Sequence, residues 1–355
     1  MVKNKSYIET MTNALRLLIV DDSKLMREAI VGMFADDENV MMEEAANGLE
    51  ALALLGKFNP DVVTLDINMP GLDGIGTLKR MMIEHPVPTI MLSSLTQEGA
   101  QITFDALRYG AVDFISKPTA MIDTSMAEQM AEIRNKVEHA AQVQLSAIKY
   151  IRHEPGSAGM VSASGLGHCE HIVAIGAAEG GYGALLKIIP QLKPSDTTAY
   201  LVSLHVAAEF IDAFVGYLCT CSQVPVLRAE NNAEIKPGCC YVSSGDDYMT
   251  THRNGDQLNL HVSEAPFASR RGAIDMMMFS VVEVMDDECT GVLLSGIGED
   301  GAEGIEHILH QKGRVIVQNP KTCLYKALVQ NAIDKAQVDN VVSDTMIAEE
   351  INKIG

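Results

Sequence analysis

Between residues 14 and 118, five short apolar runs alternate with amphipathic stretches, and this alternation constrains the fold more than any other feature. LRLLIV (15–20), DVVTLD (61–66), PTIMLSS (88–94) and DFIS (113–116) read as buried parallel strands, with VMMEEAA (40–46) as a weaker one. Ser23–Ala35, Gly48–Phe58, Gly74–Glu84 and Gln97–Tyr109 carry helical apolar spacing, as in Ile75, Leu78 and Met82. Such βα alternation predicts an α/β fold with an open, doubly wound, five-stranded parallel sheet. Ligands of such sheets sit beyond the carboxyl ends of the strands.

A second αβ run starts at HIVAIG (171–176) and continues through AYLVSL (199–204), CYVSS (240–244), LNLHV (258–262), GVLLS (291–295) and RVIVQ (314–318). Helical stretches such as Tyr182–Ile189 and Ala302–Leu309 separate these strands, which predicts a second, largely parallel α/β sandwich. Between the two runs lies a connector with a helix over roughly 125–150, Met130, Ile133, Val137 and Ala141 forming one face, and then the small, flexible GSAGMVSASGLG (156–167). The expected organisation is a tail over 1–13, a first domain over 14–120, a linker over 121–168 and a second domain over 169–355.

Bulk properties narrow the function. At 355 residues, two domains are the natural expectation. A net charge of −20 argues against a nucleic-acid partner, which needs a basic surface. No apolar run approaches the roughly 18–20 residues of a membrane span, so no membrane insertion is expected. The polar start MVKNKSYIETMTN lacks the apolar core of a signal peptide, which points to the cytoplasm, and Met11 offers an alternative start. The cysteines, seven in number, read as cytosolic thiols. Neither Cys219/Cys221 nor Cys239/Cys240 has common zinc spacing, so both pairs are expected to be small buried hydrophobes.

The strand ends carry the chemistry. Asp21 and Asp22 follow the first strand, Asp66 ends the third, Ser93 ends the fourth, and Lys117 follows the fifth. All converge on one edge of the sheet. Crowded carboxylates raise one another's pKa unless a cation joins them, and oxygen ligands of this kind suit Mg²⁺. An ionised Asp66 there is a competent nucleophile for phosphorus. Lys117 can absorb the charge of the transferring group. The Ser93 hydroxyl can reach a phosphoryl oxygen, and the Asn68 carbonyl can complete the metal shell.

From Leu15 to Pro118 the chain resembles the receiver domain of two-component response regulators, through VDDS (20–23), LDINMPGLDG (65–74), MLSS (91–94) and DFISKP (113–118). The resemblance implies that a histidine kinase phosphorylates Asp66. It makes Asp22 and Asp66 direct Mg²⁺ ligands, with Asp21 acting through water, and puts Ser93 and Phe114 at the switch positions.

From Glu170 to Asn352 the chain resembles the catalytic domain of chemotaxis protein-glutamate methylesterases, through IGAAEGGYGAL (175–185), LHVAAEFIDAF (204–214), KPGCCYVSSGD (236–246) and VLLSGIGEDGAEGI (292–305). That family hydrolyses receptor glutamyl methyl esters and deamidates receptor glutamines with a Ser-His-Asp triad. His205 matches the general base, Asp300 the acid that orients it, and the amides near Ile297 part of the oxyanion hole. The nucleophile position departs from the pattern: Ala178 stands where the family has serine, followed by Glu179. Losing a triad serine typically costs about 10⁶ in turnover. Further departures are Leu204-His205-Val206-Ala207 for the family's Gln-His-Met-Pro, Lys326-Ala327-Leu328 for its Gly-Met-Pro, and Tyr248 for a histidine. Ser203, Ser295, Cys239 and Cys240 lie on other strands or loops and are not obvious substitutes. Glu179 is a less favoured alternative nucleophile or base, and His307 and His310 read as packing or surface residues.

Two functions follow as expectations. One is a phosphorylation-dependent response regulator of a chemosensory pathway whose esterase-like domain is catalytically impaired and acts by binding receptors or adaptor proteins. The other is an active methylesterase and glutamine deamidase acting on methyl-accepting chemotaxis receptors.

Overall fold

The computed structural model describes residues 14–93, 97–117, 126–144, 168–264 and 272–354. The chain divides into two compact units, residues 1–151 and 152–355. The 156–167 stretch and the N-terminal tail lie outside the described residues.

The first unit is built on a five-stranded sheet in the order β2-β1-β3-β4-β5, formed by β1 (Leu15–Val20), β2 (Val40–Ala45), β3 (Val62–Asp66), β4 (Thr89–Ser93) and β5 (Asp113–Ser116). Every pairing is parallel. β3 and β4 are buried throughout, as expected for strands covered on both faces. Helices α1 (Lys24–Phe34), α2 (Gly48–Phe58), α3 (Gly74–Glu84) and α4 (Gln97–Arg108) connect them. Their starts are written in the sequence. Ser23, Asn47 and Asp73 each accept a hydrogen bond from a first-turn N–H of the helix they precede. Gly74 opens α3 directly against β3, where a Cβ would lie 2.1 Å from the carbonyl oxygen of Asp66. Only glycine permits that approach.

Helix α5 (Met126–Ala140) departs from the connector reading. Ile133, Val137 and Ala140 are buried. The helix packs beside α1 against β3, β4 and β5. Its apolar face was legible, but its partner was not: α5 covers the sheet face that α1 alone would leave open, so it completes the first unit.

The second unit holds a seven-stranded sheet in the order β14-β13-β12-β6-β7-β9-β8. Its strands are β6 (His171–Ala177), β7 (Thr198–Leu204), β8 (Val226–Arg228), β9 (Cys240–Ser244), β12 (Cys289–Leu293), β13 (Arg314–Gln318) and β14 (Val341–Val342), all paired in parallel. LNLHV does not join it. That segment lies in β11 (Gln257–Glu264), an antiparallel hairpin with β10 (Asp247–Asn254) that packs on helix α8 (Ala273–Met285). The remaining helices are α6 (Tyr182–Ile188), α7 (Ala208–Cys219), α9 (Ala302–His310), α10 (Ala327–Ala336) and α11 (Ile347–Ile351). Cys239 and Cys240 are buried as expected, whereas Cys219 is exposed and Cys221 half-buried, because α7 ends there and its last turn faces outward. Among the described residues, no helix is long and apolar enough to cross a membrane.

Candidate functional sites

The carboxyl edge of the first sheet gathers the predicted acids. Asp21, Asp22 and Asp66 can each present an oxygen within 4.8 Å of the others. Lys117 reaches in from the end of β5, with Nζ 2.8 Å from Asp66 Oδ1 and 2.9 Å from Asp21 Oδ2. Asp21 and Asp66 are buried, while Asp22 is exposed. Burial pushes the Asp66 carboxyl above its ordinary range, and Lys117 works against that rise. Burial also disfavours the Lys117 charge, but the bonds to Asp66 and Asp21 outweigh it and hold the ammonium above its usual value.

Asp66 Oδ2 is buried without a hydrogen-bond partner. Three clustered carboxylates, two of them paired with Lys117 and one carrying an orphaned buried oxygen, fit a hard divalent cation. The Asn68 N–H donates to Asp66 Oδ1 at 3.1 Å and fixes that carboxylate's orientation. Arg27, which the sequence pattern did not single out, braces the acidic turn by donating to the Asp21 carbonyl at 2.8 Å. Ser93, at the end of β4, accepts a hydrogen bond from Thr103 Oγ1 at 2.7 Å. Phe114 is buried and meets Phe104 edge-on at 6.1 Å.

In the second unit, β6 and β7 run in register up to Ala177 and Leu204, and Ala178 and His205 are the next residues beyond the two strand ends. His205 N–H donates to the Ala177 carbonyl at 2.9 Å, and Ala178 N–H to the Ser295 carbonyl at 3.2 Å. His205 Nε2 lies 2.8 Å from Asp300 Oδ2. Burial alone would push Asp300 up, but the His205 bond and the N–H groups of Ile274 and Asp275 hold it below the ordinary carboxylate range. The side chain at 178 is a buried methyl, closely faced by Gly296.

Two family models cover these two units: the response regulator receiver domain over residues 17–127 and CheB methylesterase over residues 173–351. A protein-glutamate methylesterase/protein-glutamine glutaminase of Pyrococcus abyssi is 35% identical over 344 residues, covering 95% of this chain and 92% of the relative. The protein of the same name from Escherichia coli K12 is 34% identical over 342 residues, covering 95% and 96%. The chain belongs to the chemotaxis protein-glutamate methylesterase family. Among solved structures, the Thermotoga maritima CheB methylesterase catalytic domain is 25% identical, covering 52% of this chain and 98% of that one with a TM-score of 0.49. The response regulator domain of the same organism's CheB is 42% identical, covering 37% and 98% with a TM-score of 0.33.

The structure also places the residues that the sequence offers as substitutes for a triad serine. Ser295 Oγ is engaged with the backbone of Tyr325, donating to its carbonyl and accepting from its N–H at 3.0 Å. Ser203 lies within β7, is buried, and its Oγ has no hydrogen-bond partner. Cys239 and Cys240 lie at the start of β9, at the opposite end of the sheet from His205. Glu179 is half-buried in the turn before α6. Ile297 is half-buried between Gly296 and the exposed Gly298. His307 packs edge-on against Phe279 at 5.4 Å, and His310 is exposed. Asp275 was not anticipated. It sits in the first turn of α8 and accepts the Gly304 N–H at 2.7 Å. No spacing in the sequence marks it, because its partners are 25 or more residues away.

Proposed function

We propose that the chain is a cytoplasmic, phosphorylation-dependent response regulator of a chemosensory pathway whose methylesterase-like unit works by binding protein partners rather than by cleaving esters. One observation carries the second half of this reading: the residue that follows β6, next to the strand that leads into His205, is Ala178, whose methyl group cannot attack a carbonyl carbon.

In the first unit, Asp66 is the phosphoacceptor. Its unpartnered Oδ2 is the oxygen available to phosphorus, while Oδ1 stays fixed by Lys117 and the Asn68 N–H. Asp21, Asp22, Asp66 and the Asn68 carbonyl would hold Mg²⁺, which supplies charge neutralisation when bound. Lys117 orients the acceptor carboxylate and offsets charge on the incoming phosphoryl group. Ser93 and Phe114 are the switch pair. The phosphodonor is a histidine kinase, and the output partners are chemotaxis receptors or adaptor proteins.

In the second unit, the His205–Asp300 bond of 2.8 Å favours a second reading, an active methylesterase or deamidase. Methanol release from methylated receptors separates the two. The binding reading expects background release by the full chain with and without beryllofluoride, and turnover at ordinary enzymatic rates would overturn it. Beryllofluoride with Mg²⁺ should bind wild type and fail to bind Asp66→Ala, and equal binding by both would remove the acceptor assignment. A pulldown of receptors and adaptors that changes with beryllofluoride completes the test.

A further inference from the structure

Thr103 and Phe104, consecutive residues of α4, engage the two switch residues separately. Thr103 Oγ1 donates to Ser93 Oγ at 2.7 Å, and both residues are completely buried. Phe104 packs edge-on against Phe114, with ring centroids 6.1 Å apart and planes at 86°. Ser93 lies one register step beyond the Asp66–Leu92 pair, and it pairs with Ser116, which precedes Lys117. The hydroxyl at 103 therefore holds the hydroxyl that ends β4, one residue past the partner of Asp66.

We propose that Thr103 is a positioning residue that latches the Ser93 hydroxyl in its resting orientation and ties the state of Asp66 to helix α4. The proposal rests on the reading of Asp66 as phosphoacceptor and of Ser93 as its switch. When Ser93 Oγ turns toward a phosphoryl oxygen, it exchanges the bond from Thr103 for the new one. Inside a protein such a bond is not replaced by water, so breaking it opposes the active state. A ligand that favours the active state then binds less tightly than it would without the latch, by the fraction of chains already unlatched. Because Phe104 follows Thr103 directly, release at Ser93 loosens the turn of α4 that also holds Phe114.

The test is calorimetric titration of the full chain with beryllofluoride in Mg²⁺. Thr103→Val keeps the side-chain volume and removes the donor, and is expected to tighten binding roughly tenfold, equivalent to about 1.4 kcal/mol. Thr103→Ser keeps the hydroxyl and is expected to restore wild-type affinity, which a purely structural role would not require. Thr103→Ala, which cannot overpack the site, carries the same expectation as the valine. In a Ser93→Ala background the valine substitution should have no further effect, since the coupled partner is gone. Unchanged or weaker binding by both Thr103→Val and Thr103→Ala, or a tightening that persists without Ser93, would overturn the proposal. Failure of the acceptor reading is distinguishable, because wild type would then bind no better than Asp66→Ala.

Discussion

Asp275 and Asp300 exchange helix caps. Asp300 accepts the N–H groups of Ile274 and Asp275 at the start of α8, both at 3.0 Å, and Asp275 accepts the Gly304 N–H in the first turn of α9 at 2.7 Å. Neither N-cap residue, Gly272 nor Gly301, has a side chain able to do this. Asp300 therefore has work to do in the fold whether or not His205 acts on a substrate.

That dual attachment sets a stability expectation. Asp300→Ala removes two accepted backbone bonds at a helix start and leaves His205 without its partner. A lost cap typically costs about 1–2 kcal/mol, and each 1 kcal/mol lowers the melting temperature by about 2–4 °C in a unit of this size. Asp300→Ala should therefore lower the second unit's calorimetric transition by several degrees, and His205→Ala by less. Equal effects would indicate that Asp300 serves the histidine alone.

The same pair predicts a pH dependence. Burial pushes the Asp275 carboxyl up to about 6 from an ordinary value of 3.8, so between those limits the folded state binds more protons than the unfolded one. Stability from this group is fully present below the unfolded value and is lost as pH rises to about 6. Asp275→Asn keeps an acceptor for Gly304 and abolishes the titration. The asparagine variant should gain stability relative to wild type between pH 4.5 and pH 7.5, measured by denaturant unfolding. Parallel curves would place the titration elsewhere.

Lys136 links α5 to the switch strand. Its Nζ donates to the Phe114 carbonyl at 2.8 Å, lies 3.4 Å from the buried Asp113 Oδ1, and sits 5.4 Å from the Phe114 ring centroid. Lys136→Met takes the cation from a buried carboxylate, a change that costs about 3 kcal/mol in comparable pairs. The first unit's transition should fall accordingly, and pairing it with Asp113→Asn should recover a large part of the loss. A melting temperature unchanged by the methionine alone would show that α5 is held by its apolar face only.

What the sequence discloses follows from how local each signal is. Leu15–Val20 leads directly into Asp21, and Val62–Asp66 ends in an acid; both runs are largely apolar, so strand, edge and acidic cluster are read within a few residues of each other. The α5 helix shows its apolar face through Ile133 and Val137, but nothing nearby states which sheet that face covers. Thr103 and Asp275 are harder still. Each sits inside a helix of ordinary composition, and its importance comes from partners 10 and 29 residues away. LNLHV misleads because Leu258 and Leu260 are buried in the core of the second unit, giving the alternation of a sheet strand to one arm of a hairpin.

Restoring the serine tests whether Ala178 is the whole departure from the active pattern. Ala178 is completely buried, and it faces Gly296, where an added Cβ would come within 2.5 Å of the Ala178 methyl carbon. Glu179, next in the chain, adds a negative charge where an ester's carbonyl oxygen would gain one during attack. Tyr248 stands near Asp300, where the family pattern has histidine. A hydroxyl at 178 would thus meet an opposing charge and altered neighbours together. Ala178→Ser is expected to release methanol from methylated receptors at no more than a few-fold above wild type, against the roughly 10⁶ that a functioning triad serine contributes. Recovery to a substantial part of that factor would mean that His205, Asp300 and the surrounding amides are arranged for hydrolysis, and would count against the binding reading of the second unit.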